Sequence, residues 1–105
     1  MEIIKPAELK QRVAHQEKPY ILDVRETWEY EEFNIEGAKN VPLCSIPDRI
    51  NELAQLKHAE IICHCKSGKR SHQAAKFLLK NGFTKVKSLE GGIEAYFNLQ
   101  SEGPD

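Results

Sequence analysis

The chain has 105 residues, of which 40% are hydrophobic and 30% are charged. This length suits one globular domain and excludes a fold that depends on disulfide bonds for its stability. With 15 basic and 16 acidic residues the formal net charge is −1, which excludes a global field that attracts nucleic acid or an anionic membrane. The chain contains neither a signal-peptide-like N-terminal stretch nor a run of about 20 apolar residues that spans a bilayer. We therefore expect a soluble cytoplasmic protein that binds neither nucleic acid nor membrane.

The first half of the chain carries signals for alternating helices and strands. Pro6 suits the first turn of a helix. Residues 20–22 with Val24 then form an apolar run without clean alternation, which is typical of a strand buried on both faces in the middle of a parallel sheet. Three apolar residues at i, i+4 and i+7 predict a second helix: Ile46, Ile50 and Leu53.

The second half continues this order. Residues 60–63 predict another buried strand, and residues 71–80 predict a helix that stops before Gly82, a natural residue just past a helix end. Residues 85–89 alternate as a short strand, and an apolar segment over 93–99 closes the fold. No linker or repeat divides the chain, so we expect one domain over residues 1–100 and a loose tail over 101–105.

Alternating strands and helices predict an α/β fold with a doubly wound parallel sheet and helices on both faces. Ligands of such folds bind outside the carboxyl ends of the strands. Asp23 and Cys65 both follow predicted strands directly, so both belong to this edge of the sheet.

The loop Cys65-Lys66-Ser67-Gly68-Lys69-Arg70 carries the strongest chemical signal in the sequence. If the next helix begins at about Ser71, five residues must turn sharply over the thiol, with Gly68 supplying the conformational freedom. A tight strand-to-helix turn points backbone N–H groups inward, and the helix N-terminus adds a partial charge of about +0.5 e. The sequence therefore predicts an anion cradle around the Cys65 sulfur.

Three cations reinforce this cradle: Lys66, Lys69 and Arg70. Positive surroundings favour the thiolate over the thiol, and they equally stabilise the anionic terminal sulfur of a persulfide. A buried structural cysteine is the alternative for Cys65, and ordinary solvated charge is the alternative for the two lysines.

The motif from Cys65 to Ser71 resembles the Cys-x-Ser-Gly-x-Arg-Ser loop of small single-domain rhodanese sulfurtransferases. The likeness extends to Leu22-Asp23-Val24-Arg25, which resembles the Asp-x-Arg strand end of that family, and to four further segments: Trp28-Glu29-Tyr30, Gly37-Ala38, Asn40-Val41-Pro42-Leu43 and Glu90-Gly91-Gly92. The sequence departs from the family pattern at Asn34, Glu36 and Tyr96. The resemblance implies a five-stranded parallel sheet flanked by helices and a catalytic cysteine at Cys65.

By this resemblance we expect Cys65 to accept a sulfane sulfur from an anionic donor such as thiosulfate or a polysulfide and to pass it to a thiol or cyanide-like acceptor. A sulfur-relay protein is a further candidate partner. We expect the substrate to contact the loop residues Lys66, Ser67, Gly68, Lys69 and Arg70. No metal or organic cofactor is required. Asp23 and Arg25 are interpreted as structural, because side chains two apart on a strand share a face and form an ion pair that fixes loops.

Other enzymatic functions remain open for this sequence. Phosphatases and arsenate reductases of the Cdc25 type share the fold but have one more residue between cysteine and arginine, and one residue adds up to about 3.5 Å of chain. The four residues between Cys65 and Arg70 favour a single sulfur atom over a phosphate. A thiol hydrolase needs a base near the thiol, but His64 is expected on the opposite face of the strand and His72 in solvent.

The remaining alternatives concern the other cysteines and a loss of catalysis. A Cys63–Cys65 disulfide is disfavoured by the parallel side chains of same-face strand neighbours, and the Cys-x-Cys spacing is atypical of zinc sites. Cys63 is expected in the core, and Cys44 is a candidate resolving thiol. A binding module without catalysis is the last alternative, although such a module has no need of both the cysteine and the cations.

Overall fold

The computed structural model describes residues 1–17 and 19–101. Within these residues lie five strands and five α-helices: β1 (Glu2–Ile4), α1 (Pro6–Ala14), β2 (Tyr20–Asp23), α2 (Thr27–Glu32), β3 (Lys39–Asn40), α3 (Ile46–Arg49), β4 (Glu60–His64), α4 (Lys69–Lys80), β5 (Lys85–Leu89) and α5 (Gly92–Ser101). Two 3₁₀ segments flank α3, over Leu43–Ser45 and Ile50–Leu56. Ser101 still belongs to α5, and the rest of the predicted tail lies outside the described residues.

The five strands form one parallel sheet in the order β1-β5-β4-β2-β3. The strands β2 and β4 are central and pair from Tyr20 with Ile61 to Asp23 with His64. Their buried residues confirm the prediction that both strands lie in the middle of a parallel sheet. Because all strands run in one direction, the residues that follow β2 and β4 meet at the same edge.

The two faces of the sheet bury different cores. One face packs against α4, α3 and the second 3₁₀ segment, with Leu22, Cys63 and Val86 on the strands and Cys65 directly after β4. The other face packs against α1 and α5 and includes Ile21, Ile62 and Leu89. Alternate residues along β4 therefore point to different layers, which is why Cys65 and His64 are separated by the sheet.

The helix predicted over residues 71–80 is confirmed at its C-terminal end. α4 ends at Lys80, and Gly82 has a φ of +93°. The predicted start at about Ser71 is wrong by two residues: Gly68 caps the helix with a φ of +117°, so the helix begins at Lys69. The turn between strand and helix is correspondingly tighter.

The helix predicted from Ile46, Ile50 and Leu53 is only partly present. α3 covers four residues, and the chain then continues as a 3₁₀ helix over Ile50–Leu56. With about three residues per turn, the 3₁₀ form brings Ile50, Leu53 and Leu56 to one side, where all three contact the core. The change of helix type therefore keeps the apolar side chains on the sheet.

Within the described residues, no helix has both the length and the hydropathy that crossing a membrane requires.

Candidate active site

Cys65 is the first residue after β4, at the carboxyl edge of the sheet. Its side chain lies on the same face as Cys63 and is 1% exposed. The core on this face is covered by α4, so the sulfur lies at the base of the turn that leads into that helix. The thiol is therefore enclosed by this turn, and we call the enclosure the cup.

A three-residue turn, Lys66 to Gly68, forms the wall of this cup. The positive φ of Gly68, +117°, is a conformation that side-chain-bearing residues rarely adopt, and it folds the chain back over the sulfur. The Gly68 N–H donates a hydrogen bond to Cys65 Sγ at 3.0 Å. One inward N–H group of the expected cradle is thus in contact with the sulfur.

The helix α4 adds further polar groups at the same point. His72 makes the first hydrogen bond of the helix, to Gly68 O at 3.2 Å. The N–H groups of residues 69–71 precede it and so have no partner within the helix. Together with the helix dipole, they make this end of α4 a favourable environment for negative charge.

Two buried serines lie behind the sulfur. Ser71 Oγ is 3.6 Å from Cys65 Sγ, 3.1 Å from Gly68 O and 2.8 Å from Ser88 Oγ. Ser71 and Ser88 are 0% and 2% exposed. The thiol therefore belongs to a buried polar network that links the catalytic-loop candidate to β5.

The start of α5 holds the loop from the other side. Ile93 N–H donates to Cys65 O at 2.8 Å, and Glu94 N–H donates to Lys66 O at 3.2 Å. This close approach requires a glycine at position 92, because a Cβ there would lie 2.4 Å from Lys66 O. The carbonyl groups of the loop are thereby turned away from the sulfur, towards α5.

The three cations of the loop have different environments. Lys66 and Lys69 are exposed. Arg70 instead binds both carboxylate oxygens of Glu29 on α2, at 2.7 and 3.1 Å. The hydrogen bond from Arg70 is the main reason that the pKa of Glu29 falls to about 2, and the same contact raises the pKa of Arg70. The charge of Arg70 is therefore balanced within the protein, which the sequence analysis did not anticipate.

Asp23 and Arg25 form a buried ion pair beside this edge. Arg25 Nη2 lies 2.7 Å from Asp23 Oδ2 and also donates to Phe33 O at 2.7 Å. Both side chains are almost completely buried, at 0% and 2% exposure. The Asn40 amide binds the carbonyl oxygens of both residues. These contacts join the end of β2 to β3 and to the segment after α2.

The two histidines near Cys65 in sequence are not placed to act on its sulfur. His64 is fully buried on the opposite face of β4, as expected, with Nε2 3.6 Å from Asp23 Oδ2. Burial is the largest influence on it and lowers its pKa to about 4. His72 lies in the first turn of α4 and is exposed, also as expected.

The other two cysteines are free thiols. Cys63 is in the core, as predicted, and burial raises its pKa to about 12. Cys44 is exposed and lies in the 3₁₀ segment before α3. Cys63 and Cys65 are equally buried, yet Cys65 is the one that contacts an N–H group and a hydroxyl. Burial alone therefore does not describe the environment of Cys65.

The sequence analysis missed three polar residues at this site: Glu29, Ser71 and Ser88. Ser71 lies inside the quoted motif, but it was not assigned to the site. The alternation of β5 contained a signal for Ser88, because it places this serine on the same buried face as Val86. No group of three or more His, Cys, Asp or Glu side chains within the described ranges is arranged to hold a metal ion.

Comparisons with known proteins agree on one family. A family model for the rhodanese-like domain matches residues 5–99. A putative sulfur carrier protein of Bacillus subtilis, YrkF, is 44% identical over 84 residues, which are 80% of this chain and 44% of that protein. A sulfurtransferase of Allochromatium vinosum is 35% identical over 88 residues, covering 84% of this chain and 80% of that protein.

Solved structures show the same likeness. The crystal structure of a rhodanese-like domain protein from Staphylococcus aureus has a TM-score of 0.84 and 31% sequence identity, with 91% of each chain covered. The chain spans less than half of YrkF but most of the other two proteins. From the family model, the relatives and the fold together, the chain belongs to the rhodanese-like domain family.

Proposed function

We propose that this protein is a sulfurtransferase in which the Cys65 thiolate carries a sulfane sulfur as a persulfide. The observation that supports this most strongly is the hydrogen bond of 3.0 Å from Gly68 N–H to Cys65 Sγ within a turn of three residues. A donor fixed on the sulfur favours the anionic thiolate. The sulfurtransferase and sulfur carrier names of the relatives support the same class of reaction.

The reaction has two displacement steps. The Cys65 thiolate attacks the outer sulfur of thiosulfate, the S–S bond of the donor breaks, and its electron pair leaves with sulfite. The product is the anion Cys65–S–S⁻. A thiolate or cyanide then attacks the terminal sulfur, the new S–S bond breaks, and Cys65 leaves as the thiolate. A polysulfide donor reacts in the same way, with a shorter polysulfide as the leaving group.

The loop stabilises the charge at each stage. The N–H groups of residues 69–71 lack partners within α4, and the sulfur added to Cys65 extends the anion towards them. Exposed Lys66 and Lys69 attract the anionic donor. Because four residues separate Cys65 from Arg70, the cup suits one added sulfur better than a tetrahedral phosphate.

The direct test is the rate of thiocyanate formation from thiosulfate and cyanide. We expect turnover by the wild type and none above the uncatalysed rate for Cys65→Ser. The matched control is Cys44→Ser, which removes the exposed thiol and is expected to keep full activity. Undiminished turnover in Cys65→Ser contradicts the assignment.

Two other functions make different predictions for the same preparation. A phosphatase hydrolyses an aryl phosphate and loses this activity in Cys65→Ser, whereas the sulfurtransferase leaves the phosphate intact. A binding module without catalysis gives neither thiocyanate nor phosphate. Hydrolysis of the aryl phosphate in preference to sulfur transfer overturns the proposal.

Arg70 tests the role of the loop cations. In Arg70→Ala the Glu29 carboxylate is left unpaired near the sulfur, so we expect KM for thiosulfate to rise about fivefold to tenfold, which is about 1 to 1.4 kcal/mol. The control is Arg49→Ala, which breaks a more exposed arginine–glutamate pair, with Glu52, outside the loop. Equal kcat/KM in Arg70→Ala and the wild type removes Arg70 from the site.

A further inference from the structure

Two large aromatic side chains are exposed beside the loop. Trp28, on α2, is 62% exposed, and Phe33, directly after α2, is 50% exposed. Both line a depression of about 250 Å³, which we call the rim depression; it also includes Lys66, Glu29, Glu32 and Glu94. Lys66 follows Cys65 directly, so this aromatic surface adjoins the proposed nucleophile.

Phe33 is held in its exposed position by specific contacts. Its ring lies edge to face against Phe97 of α5, with the ring centroids 5.7 Å apart. The Arg25 guanidinium lies 5.3 Å from the ring centroid and also binds Phe33 O. The buried ion pair of Arg25 with Asp23 fixes this guanidinium in turn. The fold thus keeps an apolar ring at the surface, which is typical of an interaction site.

The charge of the rim depression is negative on balance. Glu29 is neutralised by Arg70, and Arg25 by Asp23. Within the part of the chain that the structure describes, neither Glu32 nor Glu94 forms an ion pair, so two carboxylates face one lysine here.

The other side of the loop has the opposite character. A depression of about 470 Å³ there is lined by Lys69, His72 and Lys76, with Glu90 as its acidic member. A small anionic donor is attracted to this basic side. It gains nothing from two exposed aromatic rings, and the two free carboxylates of the rim depression outweigh the attraction of Lys66 there. The aromatic side therefore suits a different reactant.

We propose that the rim depression docks the sulfur acceptor, a protein whose reacting cysteine lies in a basic segment. This inference rests on the sulfurtransferase function proposed above and names its acceptor class. Lysine and arginine side chains complement Glu32 and Glu94, and their apolar stems and charged heads pack well on tryptophan. The acceptor thiolate attacks the terminal sulfur of Cys65–S–S⁻, forms its own persulfide and releases the Cys65 thiolate.

Trp28 supplies a direct probe of docking, because it is the one tryptophan in the sequence. The ligands are two synthetic peptides of equal length that carry a serine in place of the reactive cysteine, flanked by lysines in one and by glutamates in the other. We expect the lysine peptide to change the wavelength and the intensity of the tryptophan emission at low salt. The glutamate peptide is expected to leave both unchanged. A response that is absent, or equal for the two peptides, contradicts the proposal.

The charge variants separate docking from non-specific attraction. Glu32→Gln with Glu94→Gln is expected to weaken binding of the lysine peptide at least about tenfold. The matched control is Glu31→Gln with Glu36→Gln, which also removes two exposed charges but outside the rim depression. An equal loss in the control means that only net charge matters, and this overturns the docking site.

Transfer is measured with the cysteine forms of the same peptides and enzyme loaded with sulfur. We expect faster transfer to the lysine peptide, and a loss of this preference in the Glu32/Glu94 double variant and in Trp28→Ala. Both variants are expected to keep thiosulfate-to-cyanide turnover, as is the control Glu31/Glu36 double variant, whose side chains lie outside the rim depression. If the wild type takes up no sulfur, the proposed function fails and the acceptor role with it, even where the serine peptide binds.

If Trp28→Ala turns a dimer into a monomer, the rim depression is instead an interface between two copies.

Discussion

Two cysteines one residue apart show how local polar groups decide the behaviour of a buried thiol. Cys63 and Cys65 share a face of the sheet and are both excluded from solvent. For Cys63, burial raises the pKa to about 12, which leaves it protonated at neutral pH. The sulfur of Cys65 has different neighbours, because it lies 3.0 Å from the Gly68 nitrogen and 3.6 Å from Ser71 Oγ. The two thiols therefore differ in their surroundings because of the turn after β4 and not because of the residue type.

At the residue scale, Ser88 is expected to support the reactivity of Cys65 through Ser71. The Ser71 hydroxyl donates its one proton to Gly68 O and accepts from the Cys65 thiol. When Cys65 ionises, this proton can turn to the sulfur while the Ser88 hydroxyl donates to the Ser71 oxygen. Ser88→Ala is expected to slow alkylation of Cys65 by iodoacetamide at neutral pH about fivefold, the value of one hydrogen bond of about 1 kcal/mol. The rate and its pH profile are followed by mass spectrometry.

The control for Ser88 is Ser45→Ala, which removes a hydroxyl outside this network and is expected to leave alkylation unchanged. If Ser88→Ala lowers the melting temperature but does not change the rate or the pH profile of alkylation, Ser88 is structural and does not act on the thiol.

At the scale of elements, the site is an assembly of helix ends around one strand end. Gly68 lets α4 begin after only three residues that follow Cys65, and N–H groups at the start of α5 hold the loop carbonyls. Arg70 and Glu29 link the start of α4 to α2. The position of the sulfur therefore depends on α2, α4 and α5 together.

Gly92 tests the contribution of α5. Its φ is +64°, and a Cβ would lie 2.4 Å from Lys66 O and 2.6 Å from Cys65 O. Gly92→Ala is expected to displace the loop, to lower the free energy of unfolding by at least about 3 kcal/mol and to reduce sulfur transfer in the protein that remains folded. Urea denaturation and the thiosulfate-to-cyanide rate measure the two effects.

Gly37→Ala is the matched control, because Gly37 also has a positive φ, +87°, but open space around its Cβ position. It is expected to cost about 1 kcal/mol of backbone strain and to leave the specific activity unchanged. Similar losses of activity in the two variants argue against a role of the contact between α5 and the loop.

At the scale of the whole molecule, the parallel sheet explains why Asp23 and Cys65 lie at the same edge, as the sequence predicts. Strong apolar runs marked β2 and β4, and their carboxyl ends necessarily share an edge. Three elements with weak signals were not predicted. The strands β1 and β3 have only three and two residues, and α2 buries none of its side chains, so none of these three elements shows a periodic apolar pattern.

Contacts between distant elements were beyond the sequence for a different reason. The pairing of Arg70 with Glu29 joins residues 41 positions apart, and the contact of Ser71 with Ser88 depends on how α4 crosses β5. Composition and periodicity describe local structure and give no information on how distant elements pack against each other. The family resemblance supplied the five-stranded topology, but it did not state which cation is neutralised.

The stability of the whole fold should depend on pH through His64. Its folded pKa of about 4 lies below the ordinary value of 6.5, so the unfolded chain binds the proton more tightly. Stability is therefore complete above about pH 6.5 and falls as the pH drops towards 4. The pKa of Glu29, about 2 in the fold against 4.5, adds a second loss between pH 4.5 and 2.

Urea midpoints measured from pH 8 to pH 4 check this expectation. His64→Leu removes the titrating ring, whose two nitrogens have no hydrogen-bond partner within the described residues, so the decline between pH 6.5 and 4 should become shallower. The control His72→Leu changes an exposed histidine and should keep the wild-type slope. An unchanged slope in His64→Leu contradicts the buried neutral state of this ring.

The central claim is that sulfur resides on Cys65, and peptide mass mapping after incubation with thiosulfate tests it most directly. All three cysteines are free. Cys44 lies in a different digest peptide, whereas Cys63 and Cys65 share one, so the Cys65→Ser variant separates these two. We predict an added mass of one sulfur atom, about 32 Da, on the peptide segment that holds Cys65, removed by cyanide and absent in Cys65→Ser. Sulfur found on Cys44 instead, or on no cysteine, would contradict the account.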